Sequence, residues 1–167
     1  MTSEPFTTCL WFDTQAEEAA TYYTSIFRDA KLGHVSRYGE SGPRPAGMVI
    51  TAEFELNGQR FVALNGGPEY TFTEAVSFQI PCADQEEVDY YWDRLTADGG
   101  QPGPCGWLKD RFGLSWQVVP SVLPTLLGDP DPGRAARAMQ AMLSMGKLDI
   151  AGLQRAHDGG STVHAGG

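Results

Sequence analysis

Glu17-Glu18-Ala19-Ala20-Thr21-Tyr22-Tyr23-Thr24-Ser25-Ile26-Phe27 and Glu86-Glu87-Val88-Asp89-Tyr90-Tyr91-Trp92-Asp93-Arg94-Leu95 follow one pattern, set 69 residues apart. Glu17-Glu18-Ala19 matches Glu86-Glu87-Val88, Tyr22-Tyr23 falls on Tyr91-Trp92, and Ile26 falls on Leu95. Such self-similarity must be found early, because a missed repeat spoils the assignment of the fold. Two copies do not make a solenoid; they make a domain duplicated within one chain.

Each copy reads as an amphipathic helix with its apolar residues at helical spacing. Thr14 with Glu17, and Asp84 with Glu87, have the spacing of a capping box. A strand-like run precedes each helix, Thr7–Phe12 in the first half and Val76–Pro81 in the second. After the first helix come Lys31–Tyr38, a Gly/Pro loop, and a hairpin of Met48–Leu56 with Arg60–Asn65 turning at Asn57-Gly58. After the second come a short strand near Gly103–Trp107, a turn around Asp110–Gly113 and a strand over Leu114–Val119. The expected fold is α+β, with two βαβββ modules at about 6–65 and 74–120 within 1–120. A helical extension is expected over 121–157 and a flexible Gly-rich tail over 158–167.

The 167 residues suit a sizeable core, and 41% of them are hydrophobic, near the globular norm. Twelve Lys and Arg against twenty-one acids, net charge −9, offer no basic stripe, so nucleic acid and anionic membranes are not expected partners. Met1–Pro5 lacks a signal-peptide pattern, and no apolar run is long enough to span a bilayer. Cys9, Cys82 and Cys105 form no CxxC pair; they are expected to be reduced, buried thiols of a cytoplasmic protein. Phosphate loops, HExxH, nucleophile elbows and Cys-rich zinc spacing are all absent. His34, His157 and His164 lie far apart, and the last two are expected to be solvated near the tail.

The stretch Phe61–Pro68, then Ser77-Phe78, Glu87-Val88-Asp89, Trp92 and above all Cys105-Gly-Trp-Leu-Lys-Asp-Arg-Phe-Gly-Leu-Ser-Trp-Gln-Val-Val-Pro120, resembles the PhnB-like proteins, often labelled 3-demethylubiquinone 3-methyltransferases. The resemblance covers about Phe6–Leu153. It implies the vicinal-oxygen-chelate fold of glyoxalase I, extradiol dioxygenases and bleomycin-resistance proteins, in which paired modules enclose a ligand cavity and chains commonly form homodimers. Placed on that pattern, the metal-ligand positions fall on Thr8, Ser77, Gln117 and Val62 or Ala63. These are poor donors for a divalent transition metal, which favours imidazole, thiolate and carboxylate. No methyl-donor loop follows the first strand either.

Alternation along the strands adds Leu10 and Phe12 to the face of Thr8, Gln79 to that of Ser77, and Ser115 to that of Gln117. Trp107 joins them as a candidate at a strand end, whereas Trp11 and Trp116 should pack on the helices. Lys109-Asp110-Arg111 reads as a solvated turn. This polar but uncharged set suits a mostly apolar small-molecule ligand, with no metal and no cofactor. The same groups could instead satisfy one another around buried water. An enzyme, either a glyoxalase-type lyase or isomerase or a metal-free catalyst, is the rival reading.

Overall fold

The computed structural model describes residues 3–160. They form two compact units, divided between Phe72 and Thr73. The first unit runs β1 (Thr8–Phe12), α1 (Ala16–Ile26), β2 (Ala30–Arg37), β3 (Val49–Leu56) and β4 (Gln59–Asn65). The second repeats that order as β5 (Ser77–Cys82), α2 (Gln85–Thr96), β6 (Gln101–Pro102), β7 (Trp107–Lys109) and β8 (Ser115–Pro120). It continues into α3 (Leu123–Leu127), α4 (Pro132–Leu143) and α5 (Ile150–Asp158). Asp158 therefore closes a helix, while His164 and the rest of the expected tail from 161 on lie outside the described residues.

The sheets have the same topology, β1-β4-β3-β2 and β5-β8-β7-β6. In each, the first strand pairs parallel with the last, and the remaining pairs are antiparallel. A parallel neighbour needs a crossover rather than a tight turn, and the helix with its two following strands supplies it. Asn57 and Gly58 both adopt positive φ, 47° and 79°, as the two-residue hairpin between β3 and β4 demands.

In the first unit α1 packs on the sheet face carrying Leu10, Phe12, Phe54, Phe61 and Ala63. Tyr23 stacks on Phe54 with ring centroids 5.8 Å apart, and Phe54 stacks on its cross-strand neighbour Phe61 at 5.0 Å. The expected Thr14 cap does not form: α1 begins after Gln15, without a side-chain cap. Buried Asn65 instead takes up the Ala16 amide at 2.8 Å and donates to the Val49 carbonyl. On α2 the expected cap is present. Asp84 accepts from the Glu87 amide at 3.0 Å, and Glu87 reaches back to the Ala83 amide.

In the second unit Ile80, Cys82, Leu108, Trp116 and Val118 are the buried alternate positions of the sheet, and Val88, Tyr91, Trp92 and Leu95 are those of α2. The extension has a core of its own, Leu123, Leu126, Ala138, Leu148 and Leu153, with Met142 and Met145 packed against it. Two hydrogen bonds tie it to the turn before β7, Cys105 N to Met145 O and Gly106 N to Gly146 O, both 2.8 Å. The Gln85 side chain adds two more, donating to Leu148 O and accepting from Ile150 N. No helix among the described residues is long and apolar enough to cross a membrane.

Candidate functional site

The faces turned away from the helices carry the functional candidates, and the two modules differ. In the second, Ser77 pairs in register with Ser115 and Gln79 with Gln117, while Trp107 and Lys109 sit opposite Gln117 and Ser115. These six residues share the face away from α2, as alternation along Ser-Phe-Gln-Ile-Pro-Cys led us to expect. The Gln79 amide donates to Gln117 Oε1 at 3.3 Å, and Gln117 Nε2 donates to Ser77 Oγ at 2.8 Å. Beside this relay lies a pocket of about 480 Å³, walled by Gln101–Cys105, Trp107, Lys109, Ser115 and Glu74. The Lys109 ammonium is ion-paired with Glu74, a contact that draws the Glu74 carboxyl below its ordinary value. Ser115 is 1% exposed, yet its hydroxyl has no partner among the described residues. A buried unmet hydroxyl costs about 1–3 kcal/mol.

The first module overturns part of the expectation. Leu10 and Phe12 are buried on the side of α1, and Thr8 shares that face through its pairing with Phe61. Phe12 also meets Phe72 edge-on at 5.3 Å. The face away from α1 carries Cys9 and Trp11 instead. Cys9 is exposed rather than buried and lies next to Val62. Trp11 does not pack on the helix; its indole donates to Gly67 O at 2.9 Å and meets Tyr70 edge-on. The cause is one residue. Two residues, Asp13 and Thr14, separate β1 from the residue capping α1, but only Ala83 separates β5 from Asp84. An offset of 69 aligns the helices while the strands need 70, and a slip of one flips every strand side chain to the other face. A smaller pocket of about 350 Å³ on this module is edged by Lys31, Glu53, Glu55 and Arg60.

Two further side chains depart from their expected settings. Asp110 is not solvated but 2% exposed; its carboxylate accepts from the Phe112 and Leu114 amides and from the Trp116 indole at 2.9 Å. It fixes the turn that aims β8, so it positions Ser115 and Gln117. His157 is not a solvated side chain either; it is buried on α5, with its ring nitrogens 2.9 Å from Asp129 and from Asp158. Asp158, and then Asp129, raise its pKa. Cys82 is buried as expected, and burial, then the nearby Glu87 and Asp84, pushes its thiol up to about 12.

The family match settles the lineage. The model of the 3-demethylubiquinone-9 3-methyltransferase family matches residues 4–119. The chain belongs to that family. A PhnB protein of Bacillus cereus is 36% identical, over 70% of this chain and 99% of its own, with a TM-score of 0.62. Protein PA1353 of Pseudomonas aeruginosa is 20% identical over 71% and 98% of the two chains, TM-score 0.58, a likeness that concerns the fold alone. The fosfomycin resistance protein FosX of Listeria monocytogenes, solved with Mn(II) and sulfate, is 21% identical over 70% and 90%, TM-score 0.48. No protein of curated function matches. As a PhnB-like protein the chain has the vicinal-oxygen-chelate fold, and the family match ends before α3. The metal implied by that superfamily does not suit these residues. The positions expected for its ligands carry Thr8, Ser77, Gln117 and Val62 or Ala63, and among the described residues no three His, Cys, Asp or Glu come together to hold an ion.

Proposed function

We propose that this PhnB-like protein binds a small molecule, without a metal ion, on the face of its second module turned away from α2. The observation that carries this is the uncharged Gln79–Gln117–Ser77 relay beside the 480 Å³ pocket. Side-chain amides and hydroxyls orient a ligand by hydrogen bonds but are weak donors to a transition metal. Of the residues named from sequence, Ser77, Gln79, Trp107, Ser115 and Gln117 form the proposed site. Thr8, Leu10 and Phe12 serve the core against α1. Methyl transfer has no support in the residues: no Gly-rich loop for a methyl donor follows β1 or β5.

The test is elemental analysis of protein purified without chelator and then dialysed, alongside a small-molecule thermal-shift screen. We expect no stoichiometric transition metal and at least one stabilising ligand whose effect Gln117→Ala abolishes. About one Zn, Ni, Mn or Fe per chain would overturn the metal-free reading. The paired modules (1–120) and the C-terminal extension (121–157) are the units we assign to a cytoplasmic homodimer. Met139 and Leu143, both exposed on α4, mark the face that a second copy would cover.

A further inference from the structure

We infer that the ligand of this pocket is an uncharged, flat, mostly apolar molecule, held through a hydrogen-bond-accepting oxygen such as a ketone or ester carbonyl. The inference rests on the binding reading above and narrows it.

The direction of the relay sets the polarity. Gln79 donates to Gln117, Gln117 donates to Ser77 Oγ, and the Ser77 hydroxyl proton is left to give. A hydroxyl that already accepts a hydrogen bond is a better donor, because the chain polarises it. Ser115, its partner in register on the adjacent strand, whose backbone runs about 4.8 Å away, carries a second hydroxyl on the same face. Ser115 is one of the residues lining the pocket, and its buried hydroxyl has no partner among the described residues. Two neighbouring O–H donors suit one carbonyl oxygen, which has two lone pairs.

Charge narrows the class further. The one cation among the pocket's lining residues, Lys109, is paired with Glu74, so the site offers neither sign in excess. An anion would have to displace Glu74, and a cation would have to displace Lys109. Trp107 stands opposite Gln117 on the same face, half-buried, and presents a ring on which a flat ligand can lie. Pro102 and Pro104 complete an apolar wall.

The experiment uses the full-length protein and three probes of one shape: 2-acetylnaphthalene, 2-ethylnaphthalene and 2-naphthoate. Affinities are measured by equilibrium dialysis. The ketone should bind about tenfold more tightly than the ethyl compound, equivalent to ~1.4 kcal/mol, and the carboxylate more weakly than the ketone. Ser115→Ala should bring the ketone-to-ethyl ratio within about twofold, and Ser77→Ala should lower it in parallel. Circular dichroism and Tm confirm that both variants are folded. Equal affinities for ketone and ethyl compound, a ratio indifferent to both serines, or preference for the carboxylate would each overturn the ligand class while leaving the pocket as a binding site. If none of the three probes binds, the ligand class falls, and the thermal-shift screen decides separately whether the binding reading stands.

Discussion

Gln85→Ala should loosen the C-terminal extension selectively, and the structure sets the size of the effect. Gln85 opens α2, but its amide works on another segment. Oε1 accepts from the Ile150 amide at 2.9 Å, and Nε2 donates to the Leu148 carbonyl and to Asp89, each at 3.1 Å. The capping residue of α5, Asp149, makes no side-chain cap, so Gln85 does that work from a distant point in the sequence. Loss of a helix cap costs about 0.5–2 kcal/mol. The Leu148 carbonyl, on a residue only 1% exposed, loses its side-chain donor as well, a further ~1 kcal/mol. The sum, about 1.5–3 kcal/mol, corresponds to a fall in Tm of roughly 3–12 °C for a chain of this size. Native-state hydrogen exchange is the discriminating assay. Amides of α5 should lose protection by roughly 10- to 150-fold at that cost, and the Cys105 and Gly106 amides, which donate to Met145 and Gly146, should follow. Amides of β3 and β4 should be less affected. A Tm within 1 °C of wild type, with α5 protection unchanged, would refute the claim that Gln85 docks the extension.

Two other predictions concern the same segment. His157 gains two carboxylate partners on folding and its pKa rises, so its contribution is fully present below the unfolded value of about 6.5 and is lost as pH rises through the folded value. The wild-type advantage in Tm over His157→Asn should therefore shrink as pH is raised from 6 towards 9, and a constant difference would show the pair to be unimportant. Asp129, lowered chiefly by the Asp131 amide and then by His157, acts in the opposite sense: its contribution should fade only in acid, below the ordinary aspartate range. For assembly, Met139→Lys with Leu143→Lys should convert a dimer to monomer by light scattering without lowering Tm measured at high dilution. A double variant that stays dimeric would move the interface away from α4.

What could be read from the sequence depended on how much phase each segment carried. Ser-Phe-Gln-Ile-Pro-Cys (77–82) alternates polar with apolar over its first four residues, so its two faces were legible, and the structure places Ser77 and Gln79 together as that pattern implies. Thr-Cys-Leu-Trp-Phe (8–12) is apolar on both sides of the strand. It has no phase, and the repeat had to supply one. That repeat was fixed on helix residues, and a single extra residue before α1 inverted the strand. The Asn57-Gly58 turn and the Asp84 cap were legible because their chemistry is local. Asn65 capping α1 from 49 residues away, and Asp129 meeting His157 across 28, were not.

Why, then, is the proposed site placed on the second module when both sheets share one topology? The difference lies in what each carries on the face away from its helix. On the first, the 66–70 turn closes over Trp11. A Cβ on Gly66 would stand 2.3 Å from the indole, so a ring covers that end of the face, and the 350 Å³ pocket elsewhere on this module is edged by the charged Lys31, Glu53, Glu55 and Arg60. On the second, the residue in the corresponding place by the strand offset is Pro81, which presents no comparable ring. The polar relay there lies beside an unfilled pocket and an unmet Ser115 hydroxyl. Beyond the family match, the extension is hydrogen-bonded to the second module through Cys105, Gly106 and Gln85. Gly106 has φ of 83° and would bring a Cβ within 2.8 Å of Val118 O and 3.1 Å of Leu148. Only glycine lets the turn before Trp107 lie that close to both β8 and the extension. The added helices thus hold Cys105 and Gly106 in place at the wall of the pocket. A chain that had duplicated a module and kept a ligand in one copy would be expected to fill the other and buttress the one in use.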